Sequence, residues 1–136
     1  MMRISNTRWR MRGIYLAAAL AVIAAGVTLR LAGYQAGLPY LLVKYAGSTL
    51  WGAMVLLLVA AVLPGRPRLQ LALATAIAVA VEFVRLYHAP WLDQFRLTLA
   101  GQLLLGRIFS VFNIAAYMAG IALAALLNTC CNRAKT

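Results

Sequence analysis

The stretch Leu69–Tyr87, LQLALATAIAVAVEFVRLY, decides how this chain is read. Its 19 residues, at about 1.5 Å each, extend about 28 Å as a helix, close to the hydrocarbon thickness of about 30 Å. The two charged residues, Glu82 and Arg85, fall in its last turns. A charge inside a bilayer costs on the order of 2.5–3.5 kcal/mol on insertion scales, so Glu82 has to face other helices and find a partner there. Arg85 is three residues on, one turn away on the same face. A segment of this kind belongs to an all-α bundle embedded in a membrane.

The rest of the chain agrees. Hydrophobic residues make up 65% of the 136 residues and charged ones 11%, against about 45–50% and about 25% in soluble domains. Too little polar surface remains to cover a soluble core, which excludes an ordinary soluble enzyme, a disordered tail and a disulfide scaffold. The length argues for a single domain. Outward from 69–87, the turn Pro64-Gly65-Arg66-Pro67-Arg68 cannot continue a helix and separates it from a span over 47–63. Before that, Tyr40 to Gly47 reads as a short interfacial segment holding Lys44 among aromatics. The first span covers 13–31, after a basic tail 1–12. It exceeds a typical signal-peptide core and is followed by more apolar sequence, so it reads as a retained helix. On the other side, His88 to Asp93 reads as a polar-aromatic loop, and Thr98 to Arg107 as a re-entrant or surface helix. A last span covers 108–127 before a basic tail, 128–136. The expected fold is therefore a four-helix membrane bundle with a short interfacial or re-entrant segment before its last helix.

Thirteen Lys and Arg against two Asp and Glu give a net charge of +11. These basic residues punctuate apolar runs instead of forming one stripe, which points to topology and head-group contact rather than to nucleic acid. With the N-terminus cytoplasmic, Arg3, Arg8, Arg10, Arg12, Arg66, Arg68, Arg133 and Lys135 lie inside. Arg30, Lys44, Arg85, Arg96 and Arg107 lie outside. Eight against five places both termini in the cytoplasm.

Rise per residue also sets depth. Glu82 lies about 20 Å and Arg85 about 24 Å along the third span, and Arg30 about 25 Å along the first. Counted from the outer ends, Asn113 is about 7–8 Å deep and Trp51 about 6 Å. The counts converge on one level, roughly the outer third of the bilayer. The site expected there comprises Glu82, Arg85, Arg107, Asn113, Arg96, Arg30, Lys44, Trp51, Tyr87, His88, Trp91 and Asp93. Either a Glu82–Arg85 pair merely closes the bundle, or the two line a polar pocket open to the outer surface.

Motifs for chemistry are sparse. His88 and Asp93 have the types needed for acid–base work, but no Ser or Cys nucleophile stands at a recognisable spacing. Gly101 and Gly106-Arg107 only echo a phosphate loop, since Arg107 replaces its Lys and Ile108 its Ser or Thr. Cys130 and Cys131 are adjacent, without the spacing of a metal site. No cofactor and no metal is expected.

From Lys44 onward the chain resembles a small bacterial membrane family, domain of unknown function 2809, and more distantly VanZ-like proteins. The matching stretches are Lys44-Tyr45-Ala46-Gly47 with Leu50-Trp51, Glu82-Phe83, and Leu86-Tyr87-His88-Ala89-Pro90-Trp91-Leu92-Asp93. Arg96, Thr98, Gly101, Leu105-Gly106-Arg107, Phe109, Tyr117 and Gly120 continue the likeness. The resemblance implies a compact four-helix domain of a bacterial inner membrane and no particular reaction. Ser48 and Asn113 stand where such proteins usually carry Asp, and Arg85 where Gln is common. Two acids fewer and one cation more disfavour proton transfer or metal binding and favour an anion-accepting pocket. The expected function is to bind or move an anionic lipid head group or lipid-linked precursor at the outer face, with membrane lipids as partners. The alternative is a non-catalytic scaffold or accessory subunit with a membrane-protein partner; a lipid-phosphate hydrolase or transferase using Glu82, His88 and Asp93 ranks third.

Overall fold

The computed structural model describes residues 2–133. The side chain of Arg3 and the whole of Lys135, both counted on the inner side above, lie outside the described residues. Among the described residues six helices follow one another: α1 (Met2–Ala32), α2 (Tyr40–Val62), α3 (Pro67–Val84), α4 (Pro90–Leu97), α5 (Leu99–Leu104) and α6 (Val111–Arg133). Four are long and apolar enough to cross a membrane: Asn6–Ala32, Tyr40–Val62, Pro67–Val84 and Val111–Arg133. The shortest, α3, has 18 residues, about 27 Å of helix and just enough for the hydrocarbon core. The chain is an all-α, multi-pass membrane protein.

Prolines set several boundaries. Pro67 and Pro90 open α3 and α4 at the first helical position, where a missing N–H costs nothing. Pro39 precedes α2, and nothing between Tyr40 and Gly47 interrupts it. That stretch, expected as a separate interfacial segment, is instead the first two turns of α2. At the far end of α3, the N–H groups of Arg85, Leu86 and Tyr87 bond back to Glu82, Phe83 and Val84. These three-residue bonds tighten and end the helix at Val84, before the expected Tyr87. The loop expected over His88–Asp93 is shorter, since helix resumes at Pro90. The last span starts at Val111, three residues later than expected, and stays helical through the expected basic tail to Arg133.

Helix α2 is the hub: α1, α3 and α6 all pack on it, and α3 also packs on α6. The main core joins Val55 and Leu56 of α2, Ala74 and Ala78 of α3, and Tyr117, Ile121 and Ala124 of α6. Small residues let the backbones approach. A Cβ on Gly52 would overlap the backbone of Tyr117, and one on Gly120 the backbone of Thr49. Near the chain termini, Tyr15 Oη of α1 donates to Asn128 Oδ1 of α6 at 3.0 Å. At the opposite end Arg30 of α1 donates to Gln102 Oε1 of α5 at 3.1 Å, so α4 and α5 lie at the end away from the termini. The α2–α3 turn is closed by buried Gln70, whose Nε2 donates to Leu63 O at 2.8 Å.

Candidate functional site

Glu82 has no exposed surface, and four groups satisfy its carboxylate. The backbone N–H of Ser110 donates to Oε1 at 2.7 Å and Asn113 Nδ2 at 3.2 Å. Tyr117 Oη donates to Oε2 at 3.0 Å, and Arg85 Nη1 forms the ion pair, 2.9 Å from Oε2. Asn113 and Tyr117 are one turn apart on α6 and so share a face. The connection before α6 adds Ser110. Charge-assisted bonds of this number are what hold an ionised carboxylate inside a bundle.

Arg85 is nearly as enclosed, 9% exposed. Its Nε donates to Leu105 O, Nη1 reaches Ile108 O at 3.4 Å, and Nη2 donates to Tyr117 Oη at 2.6 Å. Tyr117 thus accepts from the cation and donates to the anion. Gly106 passes the guanidinium with φ +66, and a Cβ there would come 2.8 Å from Arg85 Cζ. Ser48 of α2 closes the network, its Oγ 3.4 Å from Asn113 Oδ1. One cluster therefore ties α3, the α5–α6 connection, α6 and α2.

Beside this cluster lies a cavity of about 430 Å³, walled by α1, α2, α5, the connection after it and α6. Arg30, Lys44, Arg85 and Arg107 line it, together with Ser48, Trp51, Gln102, Asn113 and Tyr117; no Asp or Glu does. Its remaining wall is mostly apolar, including Val22, Ile23, Val43, Leu50, Met54 and Leu103. Glu82 neutralises Arg85. Among the described residues Arg30, Lys44 and Arg107 have no acidic partner; Lys44 Nζ lies 5.3 Å from the Tyr45 ring centre. The Trp51 ring packs on Tyr117 with centroids 4.8 Å apart, and its indole N–H has no hydrogen-bond partner among the described residues.

Of the twelve residues expected at the site, the structure brings Arg30, Lys44, Trp51, Arg85, Arg107 and Asn113 to this cavity, with Glu82 directly behind. The other five lie elsewhere. Arg96 is 1% exposed and turned toward the protein: Nη2 donates to Val84 O at 2.7 Å, and Nη1 to Tyr87 O and Asp93 Oδ1 at 2.9 Å each. It gives Val84 O a second donor beside the Tyr87 N–H and supplies one to Tyr87 O, where the chain leaves α3. His88 Nδ1 lies 3.2 Å from Asp93 Oδ1 on the surface, and Tyr87 and Trp91 are exposed there. Glu82 makes no hydrogen bond to His88 or Asp93 among the described residues. Nor do three or more His, Cys, Asp or Glu come together among them.

Tyr117, Ser48 and Gln102 were not among the expected site residues. Tyr117 carries a readable signal: a phenol four residues after Asn113 in an apolar helix. Gln102 carries none, because its partner Arg30 is 72 residues away.

A family model described as protein of unknown function (DUF2809) matches residues 38–121. That range contains the whole Glu82–Arg85 cluster and all of the cavity wall except α1. No solved structure matches the chain.

Proposed function

The chain belongs to the DUF2809 family of proteins of unknown function, and from that premise we propose that its cavity binds the anionic head group of a membrane lipid or lipid-linked precursor. The observation that carries this reading is the unbalanced charge of the lining: Arg30, Lys44 and Arg107 without acidic partners, beside an apolar wall. Guanidinium and ammonium groups match phosphate oxygens, and pockets that hold small ligands are typically about 300–1,000 Å³ and mostly apolar. Arg85 serves as a positioning residue, since Glu82, Tyr117 and the carbonyls of Leu105 and Ile108 engage most of its donors. The uneven count of basic residues supports a cavity on the non-cytoplasmic side of a bacterial inner membrane, with both termini inside.

The test is lipid analysis of protein purified in mild detergent from membranes of known composition. Phosphatidylglycerol or another anionic lipid is expected enriched over phosphatidylethanolamine in the wild type and depleted in the Lys44→Gln, Arg107→Gln double variant. Equal lipid ratios in the two proteins, matching the parent membrane, would overturn the reading. Stoichiometric recovery of a protein partner in place of lipid would support an accessory subunit instead.

A further inference from the structure

Glycine plays two opposite parts in this bundle. Gly52 and Gly120 sit where backbones touch, and no larger residue fits. Gly26 of α1 and Gly47 of α2 also lie within spans, yet a Cβ on either would meet nothing within 4 Å. Both line the cavity. Helical glycine costs about 1 kcal/mol relative to alanine, and here no close approach accounts for it. What these two glycines leave is open space on the cavity faces of α1 and α2.

That space has a direction. Along α1 the lining runs from Val22 through Gly26 to Arg30; along α2, antiparallel, it starts at Tyr40 at the mouth and runs from Lys44 through Gly47 and Trp51 to Met54. Both cations lie at one end, and beyond them the lining of these two helices is apolar, with Val22, Ile23, Leu50 and Met54. The eight steps from Val22 to Arg30 and the ten from Lys44 to Met54 correspond to about 12–15 Å, close to half of a hydrocarbon core of about 30 Å. The cavity is therefore about as deep as one leaflet. Its wall is also incomplete. α1 packs along α2, with no comparable packing on α5 or α6; Tyr15–Asn128 and Arg30–Gln102 tie it across at the two ends. The stretch between these ties borders the cavity.

We propose that the cavity takes one acyl chain of an anionic lipid sideways from the adjoining leaflet, over Gly26 and Gly47, while its phosphate stays at Lys44 and Arg107. This rests on the head-group reading above and adds the chain slot and its entrance. A free phosphate compound would use the cationic end alone.

Trp51 reports on the slot. In a chain with Trp9→Phe and Trp91→Phe, Trp51 is the remaining tryptophan, since the sequence has three. This protein is placed in nanodiscs of phosphatidylethanolamine with a minority of phosphatidylglycerol, one lipid at a time carrying brominated acyl chains. Trp51 fluorescence is expected to be quenched more by brominated phosphatidylglycerol than by the same fraction of brominated phosphatidylethanolamine. Gly26→Leu and, separately, Gly47→Leu are expected to abolish that difference, whereas Gly26→Ala keeps it. Thermal unfolding identifies folded variants, and the open space around both positions favours their folding. If folded Leu variants keep the full difference, or if the wild type retains phosphatidylglycerol on purification but shows no difference, the chain slot is wrong and the head-group reading stands. If the wild type retains no anionic lipid, the head-group reading itself falls, and the slot with it.

Discussion

A carboxylate with no exposed surface persists in α3 because Ser110, Asn113, Tyr117 and Arg85 all donate to it. Breaking a buried ion pair from one side costs about 3–5 kcal/mol. Glu82→Gln keeps the shape but strands the Arg85 guanidinium, so a loss of that order is expected in reversible unfolding. Replacing Glu82 and Arg85 together by Leu should cost less than the sum of the single losses, because no lone charge remains. Additive losses in the double-mutant cycle would mean that the two side chains are not coupled. Tyr117→Phe removes the hydroxyl between them and should cost about 1–3 kcal/mol, visible as a lower unfolding midpoint. At this scale the sequence was partly legible. Glu82, Arg85 and Asn113 announced themselves as polar groups in apolar helices. The role of Arg96 did not: a basic residue after an aromatic loop reads as an outward cation, and only the path of the chain from Val84 to Tyr87 turns it inward.

Among the elements, the α2–α6 contact depends on backbone approach. Gly120→Ala would raise intrinsic helix stability by about 1 kcal/mol in isolation. Here the added methyl group meets the Thr49 backbone, and overpacking of this kind costs about 1–3 kcal/mol. Net destabilisation is expected for Gly120→Ala, while Gly13→Ala, with nothing within 4 Å, should be neutral or stabilising. Thermal unfolding of the pair in one detergent checks this; equal behaviour would remove the close-contact argument. The spans were legible from hydropathy and proline, which act locally. Their ends were less so, because tertiary contacts decide them. Lys44 reads as an interruption, yet α2 accommodates it half-buried at the cavity edge, and α3 stops early where the carbonyl of its last residue, Val84, accepts from Arg96.

For the whole molecule, the excess of basic residues at the termini and at the Pro64–Arg68 turn predicts that this end faces the cytoplasm. The two cysteines, both exposed near the end of α6, provide a native probe. A membrane-impermeant maleimide should leave them unlabelled on intact spheroplasts and label them in inverted vesicles; the reverse pattern would turn the cavity to the inner leaflet. Four-helix architecture could be read from the sequence because each span is apolar on its own. The cavity could not, since it arises from α1 standing apart from α5 and α6, a relation between distant segments. The most direct test is an experimental structure of the protein in nanodiscs containing phosphatidylglycerol. Lipid density is expected in the cavity, with a phosphate within hydrogen-bond reach of Lys44 or Arg107. A cavity closed by side chains, or empty while ordered lipid sits elsewhere on the protein, would contradict this expectation.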